Sequence, residues 1–191
     1  MIATFRRVLT VAAVCLLPLL ASAANGRSAG NHPPKNWRVL LNEELPLLGH
    51  RNWIAVVDSA YPLQTSAGVE TVDTNADQLE VVKAVLDQVA KAKHVRPVVF
   101  TDAELKLVSE SDAKGVTAYR EALTNLVGKT EAQSLPHEEI ISKLDEAGKT
   151  FHILVLKTRL TIPYTSVFIR LECGYWTAGA EKRLREAMAT H

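Results

Sequence analysis

The sequence has few cysteines and almost no net charge. Its 191 residues include two cysteines, and 22 lysines and arginines nearly balance 21 aspartates and glutamates, which leaves a formal net charge of +1. A balanced chain lacks the basic surface that binds nucleic acids and anionic membranes. The composition therefore argues against nucleic acid as a partner and permits a neutral ligand.

Several motifs that would indicate a reaction class are also missing. The chain has no Walker loop, no GxGxxG after a strand, no HExxH and no CxxC pair, so nucleotide-dependent and redox functions have no support. The histidines do not supply a metal site either, because they lack the tight spacing of ligands. Those considered are His50, His94, His137 and His152. We expect no metal and no cofactor.

Only one long hydrophobic run is present, and it lies near the N-terminus. Val8 to Leu20 is apolar apart from Thr10 and Pro18, follows a basic start, and precedes the small-residue triplet Ala21 to Ala23. The run is shorter than the roughly 18 to 20 apolar residues that a membrane span needs. This pattern predicts a signal peptide at residues 1–23, an exported protein (periplasmic or secreted), and no stable membrane insertion after cleavage.

The remaining chain is long enough for one domain with a real core. Removal of 23 of the 191 residues would leave 168, with 20 basic and 21 acidic side chains and a net charge of −1. Residues 24–36 are polar and rich in glycine and proline, which predicts a flexible linker. Residues 37–191 are expected to form the domain. With Cys173 as its single cysteine, it can form no internal disulfide.

Strand-like and helix-like segments alternate along this domain. Short apolar runs predict buried strands at 54–57, 97–100, 151–156 and 167–171, with a further strand at 69–72. Helical periodicity predicts helices at 40–48, 75–92, 112–128, 136–147 and 178–189, the second with a capping box of Asn75 and Gln78 and the third capped by Asp112. The alternation predicts a single layered α/β domain, with a central, mainly parallel sheet flanked by helices.

The segment from Gly49 to Pro62 carries the first candidate site residues. His50 follows a glycine, a short apolar strand comes next, and Asp58 stands at its far end before the turn proline Pro62. Loops at strand ends often carry chemistry. From the residues alone, His50 can equally be a structural turn histidine, and Asp58 can equally cap a turn.

A second segment of interest opens the last predicted strand. Pro163 and Tyr164 precede the strand, so the tyrosine hydroxyl could lie beside a ligand at the sheet end. The alternative is an ordinary amphipathic tyrosine that covers the core.

Together these two segments resemble the RbsD/FucU family of D-ribose pyranases and L-fucose mutarotases. The similarity spans residues 45–174, and it rests on the combination of short motifs rather than on any one of them. The resemblance implies an enzyme that interconverts the ring forms of a monosaccharide without a cofactor. It also implies a homo-oligomer, because family members form ring-like assemblies with sites near subunit boundaries.

The resemblance also implies roles for individual residues. His50 would be the catalytic acid/base, Asp58 would orient it or bind a sugar hydroxyl, and Tyr164 would donate to a sugar oxygen. The residues expected to bind substrate are Asn52, His137, Ser166 and Arg120. For the last of these a solvated helix face is an equal explanation, and His137 can equally be a surface residue of a first helical turn.

Three departures from the family pattern concern the expected site. Asn52 stands where many relatives have an acidic residue, and Ser166 where asparagine is common. Residues 158–160 also differ from the family's glycine and glutamate. A different sugar or a lost activity would account for such changes. The leading prediction remains a sugar isomerase. The second, which these departures favour, is an exported sugar-binding protein without catalysis. The third is a purely structural exported protein.

Overall fold

The computed structural model describes residues 36–128 and 130–190. The predicted signal peptide at residues 1–23 and the predicted linker up to residue 35 lie outside the described residues. Within the described part of the chain, no helix combines the length and the apolar character required to cross a membrane.

Strands and helices alternate along most of the described chain. The strands are β1 (Trp53–Val57), β2 (Val69–Asp73), β3 (Val95–Asp102), β4 (Ala132–Leu135), β5 (Ile153–Lys157) and β6 (Val167–Cys173). The helices are α1 (Trp37–Glu44), α2 (Gln78–Lys91), α3 (Val116–Val127), α4 (His137–Gly148) and α5 (Ala178–Ala189). A short 3-10 helix, Ala103–Lys106, follows β3.

The strands form one mixed sheet in the order β2-β5-β1-β6-β3-β4. The pairs β2/β5, β5/β1 and β3/β4 are parallel, whereas β6 runs antiparallel to both of its neighbours. The predicted α/β class with a mainly parallel sheet is therefore confirmed, with β6 as the reversed strand.

Strand β1 lies between two cores, which explains its unbroken apolar sequence. Ile54 and Val56 belong to the cluster packed against α1, α2 and α3, whereas Trp53, Ala55 and Val57 belong to the cluster covered by α4. Alternate residues of a strand point to opposite faces, so both faces must be apolar when both are covered. All of these side chains are buried.

Two of the predicted helix caps are wrong. Helix α2 is capped by Asp77, whose carboxylate accepts from the backbone N–H groups of Leu79 and Glu80. Asn75 lies in the preceding turn with a positive φ of 46°. Gln78 cannot act in a capping box because its side chain is fully buried and bonded elsewhere.

Helix α3 begins after Gly115, which has a φ of 90°, and not at Asp112. The Glu110 carboxylate accepts hydrogen bonds from the backbone N–H groups of Gly115 and Thr117, at 2.6 and 3.0 Å. These bonds stabilise the charged form and lower the pKa of Glu110. An acidic side chain therefore does cap this helix, but from a position two residues earlier than predicted.

Candidate functional site

The carboxyl end of β1 opens into a cavity of about 460 Å³. Its walls come from the loop that follows β1, from the first residue of α4, and from the loop that precedes β6. The lining residues are Asp58, Ser59, Ala60, Tyr61, Pro62, His137, Thr161, Ile162, Pro163 and Tyr164. Because β6 runs antiparallel to β1, its starting loop lies beside the end of β1. The structure thus brings together Asp58, His137 and Tyr164, which are distant in sequence.

The register of β3 and β4 places His137 in this cavity. Asp102 at the end of β3 pairs with Leu135 at the end of β4, and α4 begins two residues later at His137. The imidazole Nδ1 of His137 lies 3.1 Å from Oδ1 of Asp102. The backbone N–H of His137 donates to both carboxylate oxygens of Glu104, each at 3.0 Å. Both the ring and the backbone of His137 are therefore held by acidic side chains.

Asp102 is a buried carboxylate with one unused oxygen. Its side chain is 0% exposed, and Oδ2 has no hydrogen-bond partner among the described residues. Burial raises the pKa of Asp102, an effect that the hydrogen bond and charge of His137 oppose and that the carboxylates of Glu104 and Asp58 reinforce. Buried titratable groups with such perturbed pKa values are concentrated at functional sites.

Tyr164 lies against the ring of His137 in the cavity. The two rings meet edge to face, with centroids 5.7 Å apart and an angle of 83° between their planes. Tyr164 has a φ of 57°, in the left-handed region that bulky residues rarely adopt, and its side chain is 42% exposed. Strained residues of this kind occur often at ligand sites, since surrounding contacts must hold them in place.

A buried polar network holds the loop that carries Tyr164. The Gln78 amide donates to Tyr119 Oη at 3.0 Å and also to the Thr165 carbonyl. The hydroxyl of Tyr119 donates to the same carbonyl at 2.8 Å. The Thr158 hydroxyl contacts both Gln78 Oε1 and the Val57 carbonyl. The network therefore ties the end of β1 to both ends of the Tyr164 loop.

Burial strengthens the preference of two tyrosines of this region, Tyr61 and Tyr119, for the neutral form. It raises the pKa of Tyr61 to about 12, with smaller contributions from the carboxylates of Asp145, Asp102 and Asp58. Burial also raises the pKa of Tyr119. Both hydroxyls therefore keep their proton at neutral pH, and that of Tyr119 is already used in the hydrogen bond to the Thr165 carbonyl.

Asp58 lines the cavity and also forms a turn. Its Oδ1 accepts a hydrogen bond from the backbone N–H of Ala60 at 2.7 Å. The turn and ligand roles considered from the sequence are thus compatible, because a carboxylate has several acceptor positions.

His50 lies at the other end of β1, in a different cavity. Its Nδ1 is 2.7 Å from Oε2 of Glu172, whose other oxygen lies 2.9 Å from Nε of Arg170. This second cavity has a volume of about 580 Å³ and is bordered by the exposed aromatic residues Tyr175 and Trp176. The strand alone separates the two cavities by roughly 15 Å, at about 3.3 Å per residue. Within one chain, the structure does not bring His50 to Asp58 and Tyr164.

Asn52 also lies at the amino end of β1 and has a local role. Its Oδ1 accepts from the Gly49 backbone N–H at 2.7 Å, and its Nδ2 donates to the His152 carbonyl at 3.2 Å. Both parts of the amide are therefore engaged in closing a turn. The structure does not place Asn52 beside the cavity of Asp58.

The other two predicted sugar contacts do not line the Asp58 cavity. The Arg120 guanidinium donates to the carbonyls of Leu105 and Val108, at 3.2 and 2.7 Å, which holds the loop after β3. Ser166 is only 2% exposed at the start of β6. Arg120 is thus engaged by the protein backbone, and Ser166 is covered by surrounding residues.

Two important residues of the site were missed from the sequence. Asp102 ends an apolar strand and precedes a 3-10 helix, so nothing local distinguishes it from a turn residue. Gln78 does carry a signal, because it is polar yet lies on the same face of α2 as Val82, Val85 and Val89. A polar residue on a buried helix face requires a buried hydrogen-bond partner.

No family model and no curated protein matches the chain by sequence. Among solved structures, RbsD of Bacillus subtilis complexed with D-ribose is similar over 72% of this chain and 93% of its own, with 19% identity and a TM-score of 0.51. The fucose mutarotase of Streptococcus pneumoniae in complex with L-fucose covers 73% of this chain and 96% of its own, at 18% identity and a TM-score of 0.45. FucU of Bifidobacterium longum covers 69% and 92%, at 16% identity and a TM-score of 0.45.

The likeness to Bacillus subtilis RbsD shows that this chain has an RbsD-like fold. The resemblance inferred from the sequence is thereby confirmed at the level of the fold. The two matches of lower TM-score add no separate argument.

Proposed function

We propose that the protein is a monosaccharide isomerase of the mutarotase or pyranase type that works in the Asp58 cavity. The observation that supports this most directly is the convergence of Asp58, His137 and Tyr164 on one cavity of an RbsD-like fold. Its volume of about 460 Å³ lies within the range of small-molecule sites. The similar Bacillus subtilis structure contains D-ribose, which makes a neutral monosaccharide the first ligand to test.

The side chains of the cavity suit the opening of a cyclic hemiacetal. The reaction needs a base for the proton of the anomeric hydroxyl and an acid for the ring oxygen, and the roles reverse on closure. Imidazole can take either role near neutral pH, and the Tyr164 hydroxyl can donate a hydrogen bond. The Asp58 carboxylate can accept one from a sugar hydroxyl. The proposal requires no cofactor.

His50 takes part in this proposal only through a neighbouring copy of the chain. It lies at the opposite end of β1, so it can reach the cavity only if a second copy presents its amino end there. The proposal therefore includes a homo-oligomer. Export, with cleavage after residue 23, also belongs to it, and the mass of the purified mature protein would test that cleavage.

The alternative is an exported sugar-binding protein that uses the same cavity without turnover. Two features favour it: Ser166 is buried where the family commonly has asparagine, and His50 is remote from Asp58 within the chain. Both features weaken the expected catalytic set without closing the cavity.

Anomer exchange measured by magnetisation-transfer NMR would test the two functions. The full chain would be expressed with export, and the processed protein would be mixed with ribose, fucose, galactose or glucose. We expect faster exchange of at least one sugar. Line broadening of a sugar without faster exchange would instead support the binding protein, and the absence of both effects would overturn both functions.

A mutational series would then locate the activity. Tyr164→Phe should slow exchange by about tenfold, because it removes a hydrogen-bond donor from the cavity. His152→Gln is the matched control, since this histidine lies outside the cavity and its Nε2 is 3.9 Å from Glu70. Equal losses in both variants would indicate a general effect on the fold.

A further inference from the structure

The buried pair of Asp102 and His137 has a geometry that a binding role does not require. A residue that only contacts sugar hydroxyls needs one polar atom in the cavity. His137 instead has its Nδ1 held by a carboxylate that is 0% exposed, and its backbone held by Glu104. The ring is thus fixed on its Nδ1 side, which leaves Nε2 as the nitrogen available to a ligand.

We propose that His137 is the acid/base of the Asp58 cavity and that Asp102 is the positioning residue that sets its tautomer. This inference rests on the proposed isomerase function. It goes beyond the sugar-binding role predicted for His137 and assigns a role to Asp102, for which the sequence indicated none.

The tautomer follows from the charge of the pair. An ionised carboxylate can only accept hydrogen bonds, so the Nδ1 atom 3.1 Å from Asp102 must carry the proton. In the neutral ring, Nε2 then has a free lone pair and can act as a base. When Nε2 takes up a proton, Asp102 stabilises the imidazolium without moving.

The reaction can be written with all protons accounted for. His137 Nε2 takes the proton of the anomeric hydroxyl, the bond between C1 and the ring oxygen breaks, and C1 forms a carbonyl. The ring oxygen receives a proton from a second donor, for which the cavity offers the hydroxyl of Tyr164. Closure on either face of the carbonyl returns both protons, so no oxidant, reductant or cofactor is consumed.

Several charged and titratable groups surround the imidazole. Asp102 comes from β3, Glu104 from the 3-10 helix, and Asp58 and Tyr61 from the segment after β1. Tyr164 faces the ring from the loop before β6. The carboxylates place negative charge around the ring, and the N-terminus of α4 places positive partial charges beside it.

A purely structural role for Asp102 fits the burial less well. Taking a carboxylate out of water costs free energy unless its oxygens are fully hydrogen-bonded, and Oδ2 has no partner among the described residues. Burial raises the pKa of this carboxyl, which is the sign of that cost. Groups retained despite such a cost are typical of active sites.

The test combines kinetics with direct observation of the ring nitrogens. Exchange rates are measured for the wild type, Asp102→Asn, His137→Gln and the control Asp87→Asn, which alters an exposed carboxylate paired with Lys83. For Asp102→Asn we expect kcat to fall by about 10- to 100-fold with KM within about twofold. His137→Gln should lose about 100-fold, and the control should match the wild type.

Nitrogen-15 NMR of the histidine rings supplies the second readout. In the wild type the His137 ring should be protonated at Nδ1, and Asp102→Asn should remove that preference. Unchanged kcat in Asp102→Asn, or a wild-type ring protonated at Nε2 alone, would overturn the positioning role. Should Asp102→Asn fail to fold, His137→Gln still decides the acid/base assignment, because His137 is only partly buried.

Failure of the proposed isomerase function can be distinguished from failure of the roles assigned to His137 and Asp102. If the wild type accelerates no sugar, the isomerase proposal fails and the acid/base assignment falls with it. The NMR readout would still show whether Asp102 holds the His137 tautomer. If the wild type is active and both variants retain its rate, the isomerase stands and only the assignment to this pair is wrong.

Discussion

The two ends of β1 carry the two halves of one sequence motif, and they differ in how their side chains are supported. At the carboxyl end, the residues of the cavity are backed by the buried Asp102 and by the network around Gln78. At the amino end, His50 is 49% exposed, and its Nδ1 lies 2.7 Å from Glu172, a partly buried carboxylate that Arg170 also contacts. Exposed pairs restrain side chains weakly, whereas buried hydrogen-bonded groups hold them in one geometry.

This difference shows where a single chain can place reacting groups accurately. Catalytic groups must be held near their productive positions by residues that are themselves fixed. Within one chain the carboxyl end of β1 meets that condition more fully, because Asp102 behind His137 is 0% exposed whereas Glu172 behind His50 is 18% exposed. At the amino end, His50 would need the surface of a second copy to provide the missing support.

The largest expected effect concerns whether the residues at both ends of β1 contribute to catalysis. His50→Gln and His137→Gln should each slow sugar exchange by about 100-fold if both histidines serve one site across an interface. Co-expression of the two variants should then restore roughly a quarter of the wild-type rate, because a random mixture assembles some sites with both histidines intact. Exchange rates of each variant and of the mixed protein would be compared.

Two outcomes would revise this comparison. Wild-type activity in His50→Gln would remove the amino end from the mechanism altogether. Two inactive variants that show no recovery on mixing would contradict a site shared between copies.

A smaller effect should follow when the buried network at the carboxyl end is altered. Gln78→Leu removes the amide that joins Tyr119, Thr165 and Thr158, and should lower the free energy of unfolding by about 2 kcal/mol. Chemical denaturation would measure it. Gln88→Leu on the same helix is the matched control, with an expected change within about 0.5 kcal/mol. Equal effects would show that the network adds nothing beyond helix packing.

Replacement of the buried Asp102 carboxylate should raise the free energy of unfolding, whereas Gln78→Leu lowers it. The size of the increase should depend on pH. Because the folded-state pKa of Asp102 is raised above its ordinary value of 3.8, the native state holds this proton more tightly than the unfolded state. The stability that this tighter proton binding gives the native state is therefore fully present below about pH 4. It is lost as the pH rises through the raised pKa of Asp102. Asp102→Asn should therefore be more stable than the wild type at neutral pH.

Thermal unfolding at several pH values would check this sign. The advantage of Asp102→Asn should disappear at low pH, where the wild-type carboxyl is protonated. A variant that is less stable than the wild type at neutral pH would show that the pair with His137 stabilises the fold, contrary to our expectation.

The smallest effect is expected at the amino end. Glu172→Gln removes the negative charge that faces both the half-exposed His50 and Arg170, and should change the free energy of unfolding by less than about 1 kcal/mol. Increasing salt should weaken the wild-type pair and reduce even this difference. A loss of several kcal/mol would mean that the two ends of β1 are supported equally well.

The sequence made parts of the fold and the site predictable because their signals are local. Strand β1 is apolar throughout because both of its faces are buried, and helix α2 shows helical periodicity because one of its faces is buried. Strand β4 was missed because its edge position leaves most of its side chains exposed, so no apolar pattern marks it. Asp58 and Tyr164 could be singled out because each lies in a loop at a strand end, Asp58 four residues before Pro62 and Tyr164 directly after Pro163.

The sequence could not show which of the expected site residues lie together within one chain. His50 and Asp58 are eight positions apart, yet strand β1 holds them at its opposite ends. Asp102 and His137 are 35 positions apart, yet parallel pairing of β3 and β4 brings them into contact. Sequence spacing reports distance along the chain, whereas the strand register decides which side chains meet.

The sequence by itself determined the α/β class, the buried central strand and the residue types at its two ends. These properties depend on local composition and periodicity, which can be recognised in short segments of the chain. The tertiary structure alone decided that His137, and not His50, shares a cavity with Asp58 and Tyr164, and that a buried carboxylate lies behind it. The physical reason is that such contacts depend on strand order and register, which are set by the packing of the whole sheet.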